Sequence, residues 1–525
     1  MTLPAGVPAA VVERSFGTAG WRRAAMVALA GAIATLGLAP YHFVPAGFIA
    51  FPLLVLALDG LVARGEGLRP AFRLGWWFGF GYFVAGLWWL GAAMLVDAAA
   101  FWWALPLAVL GLPAVLAVYF GIAVAIARRF WSTGAERILV LALAFALAEF
   151  LRARLLTGFP WNEIGMMAAP WPLFMQTAAI WGTHGLTLLC VILFSLPVLA
   201  LRRQGGRSAV AAIGLSLLAF HIAYGAYRLS AAASAPAPEQ AHVRIVQPAI
   251  DQGSKWDPAE ASEILRLLMD MTAPGSDSRP GEIVIWPESS FPYLISDVSP
   301  VVEAVAQSLG PDGRLLAGAA RMTERDGAEP AYYNSILAIR PDGAVDGRFD
   351  KLHLVPFGEY LPFQSILERL GIMQLTQLPG GFSAADERRS GVVEGVPPFL
   401  PLICYEVIFP NEIRREAGDA FVLNVTNDAW YGDTPGPYQH LAHARLTAVA
   451  LGLPLVRAAN SGISVVTDSV GREVARMDLG ERGTIAAALP APGAETMFSK
   501  HGSLVFWLLS AVVLLTVPAI RRSHS

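Results

Sequence analysis

The sequence predicts a bundle of about eight membrane-spanning helices joined to an α/β domain of layered sheets. Three observations carry this. Apolar runs approaching or exceeding the ~20 residues needed to cross a bilayer recur through the first half of the chain. Arginines gather at alternate loops between these runs. One polar stretch, 234–498, changes to short β-rich segments separated by helical windows.

The apolar runs fall near 24–39, 44–62, 74–95, 101–127, 137–151, 175–201, 208–228 and 503–520. The chain has 525 residues, of which 55% are hydrophobic and 15% charged, and its mean hydropathy of +0.51 belongs to an integral membrane protein. A net charge of −3 offers no nucleic-acid footprint. The expected domains are a seven-helix bundle over 1–233, a polar α/β domain over 234–498, and a last helix with a tail over 499–525. The first span carries no convincing small-residue cleavage site and reads as a retained anchor.

Orientation follows from arginine. Arg14, Arg22 and Arg23 precede the first span; Arg64, Arg69 and Arg73 lie between the second and third; Arg128, Arg129 and Arg137 between the fourth and fifth; Arg202, Arg203 and Arg207 between the sixth and seventh; Arg521 and Arg522 follow the eighth. With eight spans all five clusters share one side. Both termini are then cytoplasmic and the polar domain lies outside the cytoplasm. Arg152 and Arg154 break the pattern. Tryptophans at span ends, such as Trp76, Trp88 and Trp102, read as an interfacial belt. His184 reads as a packing histidine within a span rather than part of a proton path.

In the polar stretch, strands are expected at 243–247, 282–286, 314–319, 332–339, 399–404, 420–425, 454–458, 463–468 and 483–489, and helices at 258–271, 299–309, 409–417 and 437–451. Residues 230–241 read as a linker. Pro341-Asp342-Gly343 and Asp468 to Gly471 read as hairpin turns. The apolar segment 361–380 fits either a core helix or a mobile flap touching lipid.

The chain has two cysteines. Cys190 lies in an apolar run, Cys404 ends a predicted strand in the polar domain, and a disulfide between them would have to cross between compartments. No Cys/His spacing suggests zinc. A lone cysteine is ordinarily a small buried hydrophobe. Cys404, however, has two ionisable candidates at other strand ends: Glu288, after Trp286-Pro287, and Lys351, in a chain that otherwise relies on arginine. A thiol attacks as thiolate and needs a base or a cation nearby. Glu288 in an apolar site suits a general base, and Lys351 suits an oxyanion donor.

Trp286-Pro287-Glu288, the run from Lys351 to Tyr360 (Lys-Leu-His-Leu-Val-Pro-Phe-Gly-Glu-Tyr) and Cys404-Tyr405-Glu406 resemble the three signatures of the nitrilase superfamily. Set behind seven spans and before an eighth, they resemble the membrane-embedded apolipoprotein N-acyltransferases of Gram-negative bacteria. The resemblance implies an αββα sandwich, Glu288 as general base, Lys351 as oxyanion stabiliser and Cys404 as nucleophile. It implies supporting roles for Glu359, Tyr405, Glu406, Trp256 and Asn334. Asn427 to Tyr431 and Arg457 resemble further family positions, against the alternatives of an Asx turn and a helix-side ion pair. The implied reaction is ping-pong acyl transfer without cofactor or metal. The donor would be a phospholipid, phosphatidylethanolamine in particular, and the acceptor a diacylglyceryl apolipoprotein, at the inner membrane with the catalytic domain in the periplasm. Two other readings stay open on the residues: a membrane-tethered amidase with the same three groups, and a transporter or scaffold whose polar domain only binds.

Overall fold

The computed structural model describes residues 20–522 apart from 202–204, 234–240, 276–277, 297–298, 326–327, 371–373, 377 and 379. Arg14, Arg202, Arg203 and most of the expected linker lie outside them. The chain forms two compact units, Met1–Ala231 with Thr496–Ser525, and Ala232–Glu495.

The first unit is helical. Among the described residues five helices are long and apolar enough to cross a membrane: Val44–Ala63, Ala98–Arg129, Ala178–Leu201, Arg207–Ala232 and Leu504–Arg522. A bent pair, Leu68–Leu87 with Leu90–Val96, makes a sixth if its 48° break lies within one span. The other two expected spans are helical but short: Trp21–Ala34 has 14 residues and Arg137–Arg152 has 16. The second begins and ends on arginine because both guanidiniums are paired inside the unit, Arg137 with Asp59 at 3.0 Å and Arg152 with Glu149 at 3.6 Å. The last helix of the first half runs through Ala233, into the expected linker.

Arginines of three clusters converge on Glu66, and a fourth cluster bonds beside one of them. Arg23 and Arg64 both pair with Glu66, at 3.0 and 2.6 Å, and Arg128 Nε donates to its main-chain oxygen. Arg521 reaches Glu136 at 3.1 Å and the carbonyl of Phe130. Trp88 and Trp102 are exposed as a belt requires, whereas Trp89 is fully buried, 5.0 Å from Trp161, and belongs to the core. His184 is buried and pairs with Glu163 at 3.1 Å.

The second unit is two six-stranded sheets, as the αββα expectation requires. The strands are β1 (His242–Gln247), β2 (Ile283–Trp286), β3 (Arg314–Arg325), β4 (Ala328–Ile339), β5 (Val345–Asp350), β6 (Gly391–Val393), β7 (Val396–Ile403), β8 (Phe421–Thr426), β9 (Leu455–Ala459), β10 (Ser464–Thr467), β11 (Glu473–Met477) and β12 (Gly483–Ala488). One sheet runs β12-β1-β2-β3-β4-β5, the other β11-β10-β9-β8-β7-β6. The middle of each is parallel, β1-β2-β3 and β7-β8-β9.

Strand alternation builds the layers. Val243, Ile245, Ile283, Ile285 and Leu316 face Phe399, Phe421, Leu423 and Val456 of the other sheet. The intervening Val246, Val284, Trp286 and Leu315 pack against helices Ala261–Thr272 and Pro300–Ala306. Three strands, β5, β6 and β11, were not expected from the sequence. β5 and β11 lie at sheet edges and carry charges along one side (Val-Asp-Gly-Arg-Phe-Asp, Glu-Val-Ala-Arg-Met), which blunts the apolar signal. The expected helix at 409–417 is only a short turn, Pro410–Glu412; Ile413 turns extended to bury its side chain. Both expected turns form, with Gly343 at φ 83° and Gly471 at φ 81°.

Candidate active site

Parallel strands collect their carboxyl ends on one edge of a sheet, where loops can converge. β2 delivers Glu288 there through Pro287. Ser289 turns back at φ 49°, and Ser290 N donates to Gly318 O at 2.7 Å. Gly318 is required: a Cβ would lie 2.3 Å from Pro287 O and 2.6 Å from Glu288 Cα. β5 delivers Lys351, whose N–H donates to Asn334 O on β4 at 2.8 Å.

Around these the polar side chains close a network. Lys351 Nζ lies 2.9 Å from Glu359 Oε2 and 3.5 Å from Glu288 Oε1. Asn334 Nδ2 donates to Glu288 Oε1 and to Glu359 Oε1, both at 2.8 Å. Val355 N donates to Glu359 Oε2 at 2.8 Å. All four side chains are buried. Burial works against the ammonium of Lys351, but Glu359 and Glu288 outweigh it and hold its pKa above the ordinary lysine value. Lys351 is a fixed cation.

β7 delivers Cys404 in the left-handed region, φ 50°, which costs a non-glycine residue about 1–2 kcal/mol. The following turn pins it. Glu406 Oε2 accepts Ile403 N at 2.8 Å; its Oε1 accepts Leu352 N at 3.0 Å, His353 N at 3.2 Å and Arg388 at 2.6 Å. Tyr405 packs its ring against Phe409 and His353, 5.0 and 5.8 Å away. Burial first, then the charge of Glu288, push the Cys404 thiol up, while Lys351 opposes them. The resting group is therefore a neutral thiol, close enough to both partners to feel their charges, and Thr426 at the end of neighbouring β8 hydrogen-bonds it.

Beneath the cysteine lies a second buried chain. His440 Nε2 donates to Cys404 O at 3.1 Å, and its Nδ1 is 2.8 Å from Asp428 Oδ1. Arg457 reaches Asp428 Oδ2 at 2.7 Å, and none of the three side chains is exposed. Burial would raise the Asp428 carboxyl, but Arg457 and His440 override it and hold it down to about 2. Arg457 does form an ion pair, but from strand β9 to Asp428 rather than along a helix side, and His440, on helix Pro435–Leu451, carries no role in the sequence reading. Its position as the sixth residue of a helix gives no sequence signal of its own. Asn427 ties Gln252 to Asn460, at 2.6 and 3.1 Å.

Glu288, Lys351, Glu359 and Asn334 thus meet in one cluster, and the charges of Glu288 and Lys351 reach the Cys404 thiol; Tyr405 and Glu406 build the cysteine turn. Trp256 is 43% exposed, beside buried Lys255. Among the described residues the expected core helix or flap at 361–380 carries a four-residue helix, Gln364–Leu367, and a 3-10 turn, Glu368–Leu370, and exposes Phe363 and Ile366; 371–373, 377 and 379 lie outside the described residues.

A buried thiol with a carboxylate, an ammonium and a supporting glutamate can form and discharge an acyl thioester. Residues 209–497 match the carbon-nitrogen hydrolase family, which defines the class of this domain. Residues 30–196 match the apolipoprotein N-acyltransferase N-terminal domain. The chain is 47% identical over 515 residues to an apolipoprotein N-acyltransferase of Brucella suis biovar 1 (strain 1330), covering 95% of each chain. It is 47% identical to one of Rhizobium rhizogenes (strain K84 / ATCC BAA-868), covering 94% of this chain and 95% of the relative. The chain belongs to the apolipoprotein N-acyltransferase family.

Proposed function

We propose that the protein transfers an acyl chain from a phospholipid to the N-terminal amine of a diacylglyceryl-cysteine apolipoprotein, through a thioester on Cys404. The single observation that carries this reading is the Glu288–Asn334–Glu359–Lys351 network bearing on the Cys404 thiol in a chain of this family.

The thiol is neutral at rest, so its proton must leave as the sulfur attacks the ester carbonyl. Glu288 takes that proton. Lys351, charged throughout, holds the tetrahedral oxyanion with a main-chain N–H near Cys404. The ester C–O bond breaks and Glu288 returns the proton to the departing lysophospholipid oxygen. The acceptor amine then attacks the thioester, Glu288 removes its proton, the amide forms and the sulfur recovers its hydrogen. Glu359 serves by fixing Lys351, and Asn334 by holding the two carboxylates in register. Phosphatidylethanolamine is the proposed donor.

We keep the division into 1–233, 234–498 and 499–525, which the two compact units support. The catalytic domain is placed in the periplasm and both termini in the cytoplasm of the inner membrane. The converging arginine clusters support that orientation. Lipid substrates explain the membrane unit: it keeps acyl chains in hydrocarbon while a carbonyl reaches the thiol, and exclusion of water protects the thioester.

The test is intact-mass analysis of the full chain after incubation with phosphatidylethanolamine. One added acyl group should map to Cys404 and leave when a diacylglyceryl lipopeptide is added. An acyl group on another residue, or none, sinks the reading.

A further inference from the structure

Lys255 has no part in the chemistry above, yet it is buried to 1% exposure in the same site. Its Nζ donates to the main-chain oxygen of Glu288 at 3.0 Å. Its two other N–H bonds find no acceptor among the described residues, and no carboxylate there lies within ion-pair distance. A buried ammonium without a paired carboxylate is costly, so a lysine whose only duty was to hold one carbonyl would be an expensive choice. The charges that act on it are those of Glu288, after β2, and Cys404, after β7, the titratable groups facing it from the two sheets.

Charge counting gives the ammonium a purpose. Glu288, Glu359 and Lys351 sum to one negative charge, and that charge persists when the proton passes from sulfur to Glu288 and the oxyanion forms. A second cation makes the enclosed site neutral. We propose that Lys255 is a positioning residue for the acyl-transfer site, one that fixes the main chain at Glu288 and, while charged, balances the anion that develops at Cys404. This inference rests on the acyl-transfer reading.

A pH dependence follows. Burial, partly offset by Glu288 and Cys404, lowers the Lys255 amine to about 8. Lys351, Cys404 and Tyr431 are all held above their ordinary values and His440 below, so none of them loses or gains charge near that pH. The balancing charge is present below about pH 8 and lost above it.

The experiment follows the rate of acyl-enzyme formation by intact mass, from pH 6 to 10, on the full chain in detergent with phosphatidylethanolamine. Wild type should slow above about pH 8. Lys255→Met should be roughly tenfold to a hundredfold slower below that pH and show no such fall. Lys255→Arg, whose charge does not titrate, should recover part of the rate and keep it above pH 8. A Lys255→Met rate with the wild-type value and profile overturns the proposal. So does a wild-type rate that keeps rising through pH 9, whether or not the variants fold. If wild type takes up no acyl group, the acyl-transfer reading fails instead, and alkylation of Cys404 by iodoacetamide gives the same comparison, with the same slowing in Lys255→Met supporting the charge role and its absence ending it.

Discussion

Glu406 Oε1 accepts the main-chain N–H of Leu352 at 3.0 Å, so the residue two beyond Cys404 holds the residue one beyond Lys351. The same oxygen of buried Glu406 pairs with half-buried Arg388 at 2.6 Å. The lysine loop and the cysteine turn, which come from different sheets, are thereby one rigid piece. Glu406→Gln keeps the shape and removes the charge. Weakening the hydrogen bonds of a buried carboxylate costs about 1–3 kcal/mol, so thermal unfolding of the detergent-solubilised chain should shift downward. An unchanged midpoint would show that the carboxylate does not join the two loops energetically.

Glu359 holds Lys351 Nζ at 2.9 Å and makes no hydrogen bond to the thiol among the described residues. Glu359→Gln should lower kcat for acylation by roughly 10²–10³, the scale of losing one oxyanion donor, with KM for phospholipid little changed. A KM effect alone would make Glu359 a substrate-binding group instead.

The two cysteines should separate cleanly. Cys404→Ser should form no thioester by intact mass, whereas Cys190→Ser, in the helix Ala178–Ser195, should acylate as wild type does. Full transfer activity in Cys404→Ser would remove the nucleophile assignment.

Acid should weaken the catalytic unit through the chain behind the cysteine. The Asp428 carboxyl, ordinarily near 3.9, is held at about 2, so its stabilisation is present above pH ~4 and is lost as pH falls from there towards 2, about 2–3 kcal/mol in all. His440 is held below its ordinary value by burial and by Arg457, so its neutral form favours the fold above pH ~6.5 and that contribution declines below it. The unfolding midpoint should fall steadily below pH ~6.5, and Asp428→Asn should lower it at pH 7. A midpoint flat from pH 7 to 3 would contradict this electrostatic account.

Gly318→Ala is a one-carbon test of the close approach behind Glu288. The new Cβ would meet backbone at 2.3 Å. Overpacking of this kind costs about 1–3 kcal/mol, and acylation should fall with stability because the displaced atoms carry Glu288. Wild-type stability and rate in this variant would show that the β2 end yields without consequence.

The chemistry was legible in the sequence where residues are tied to strand ends. Glu288, Lys351 and Cys404 each follow a strand, and a buried strand announces itself by its apolar run. β5 is the exception: its alternating charges give no strand signal, yet Lys351 is legible because the motif around it is local. The span count was less legible, since Arg137 and Arg152 close a 16-residue helix whose end charges are neutralised only by packing against Asp59 and Glu149.

By itself, the sequence determined the alternating apolar runs, the strand-end placement of Glu288 and Cys404, the local motif that carries Lys351, and the glycines and prolines that turn the chain between them, because these depend on neighbours within a few residues. Only the tertiary structure decided that Lys255 reaches Glu288, that His440 on a distant helix holds the Cys404 carbonyl, and that Glu406 locks two loops together. Those contacts join residues 33 to 54 positions apart. A buried charge or donor gets its partner from whichever element packs beside it, and no local pattern records that choice.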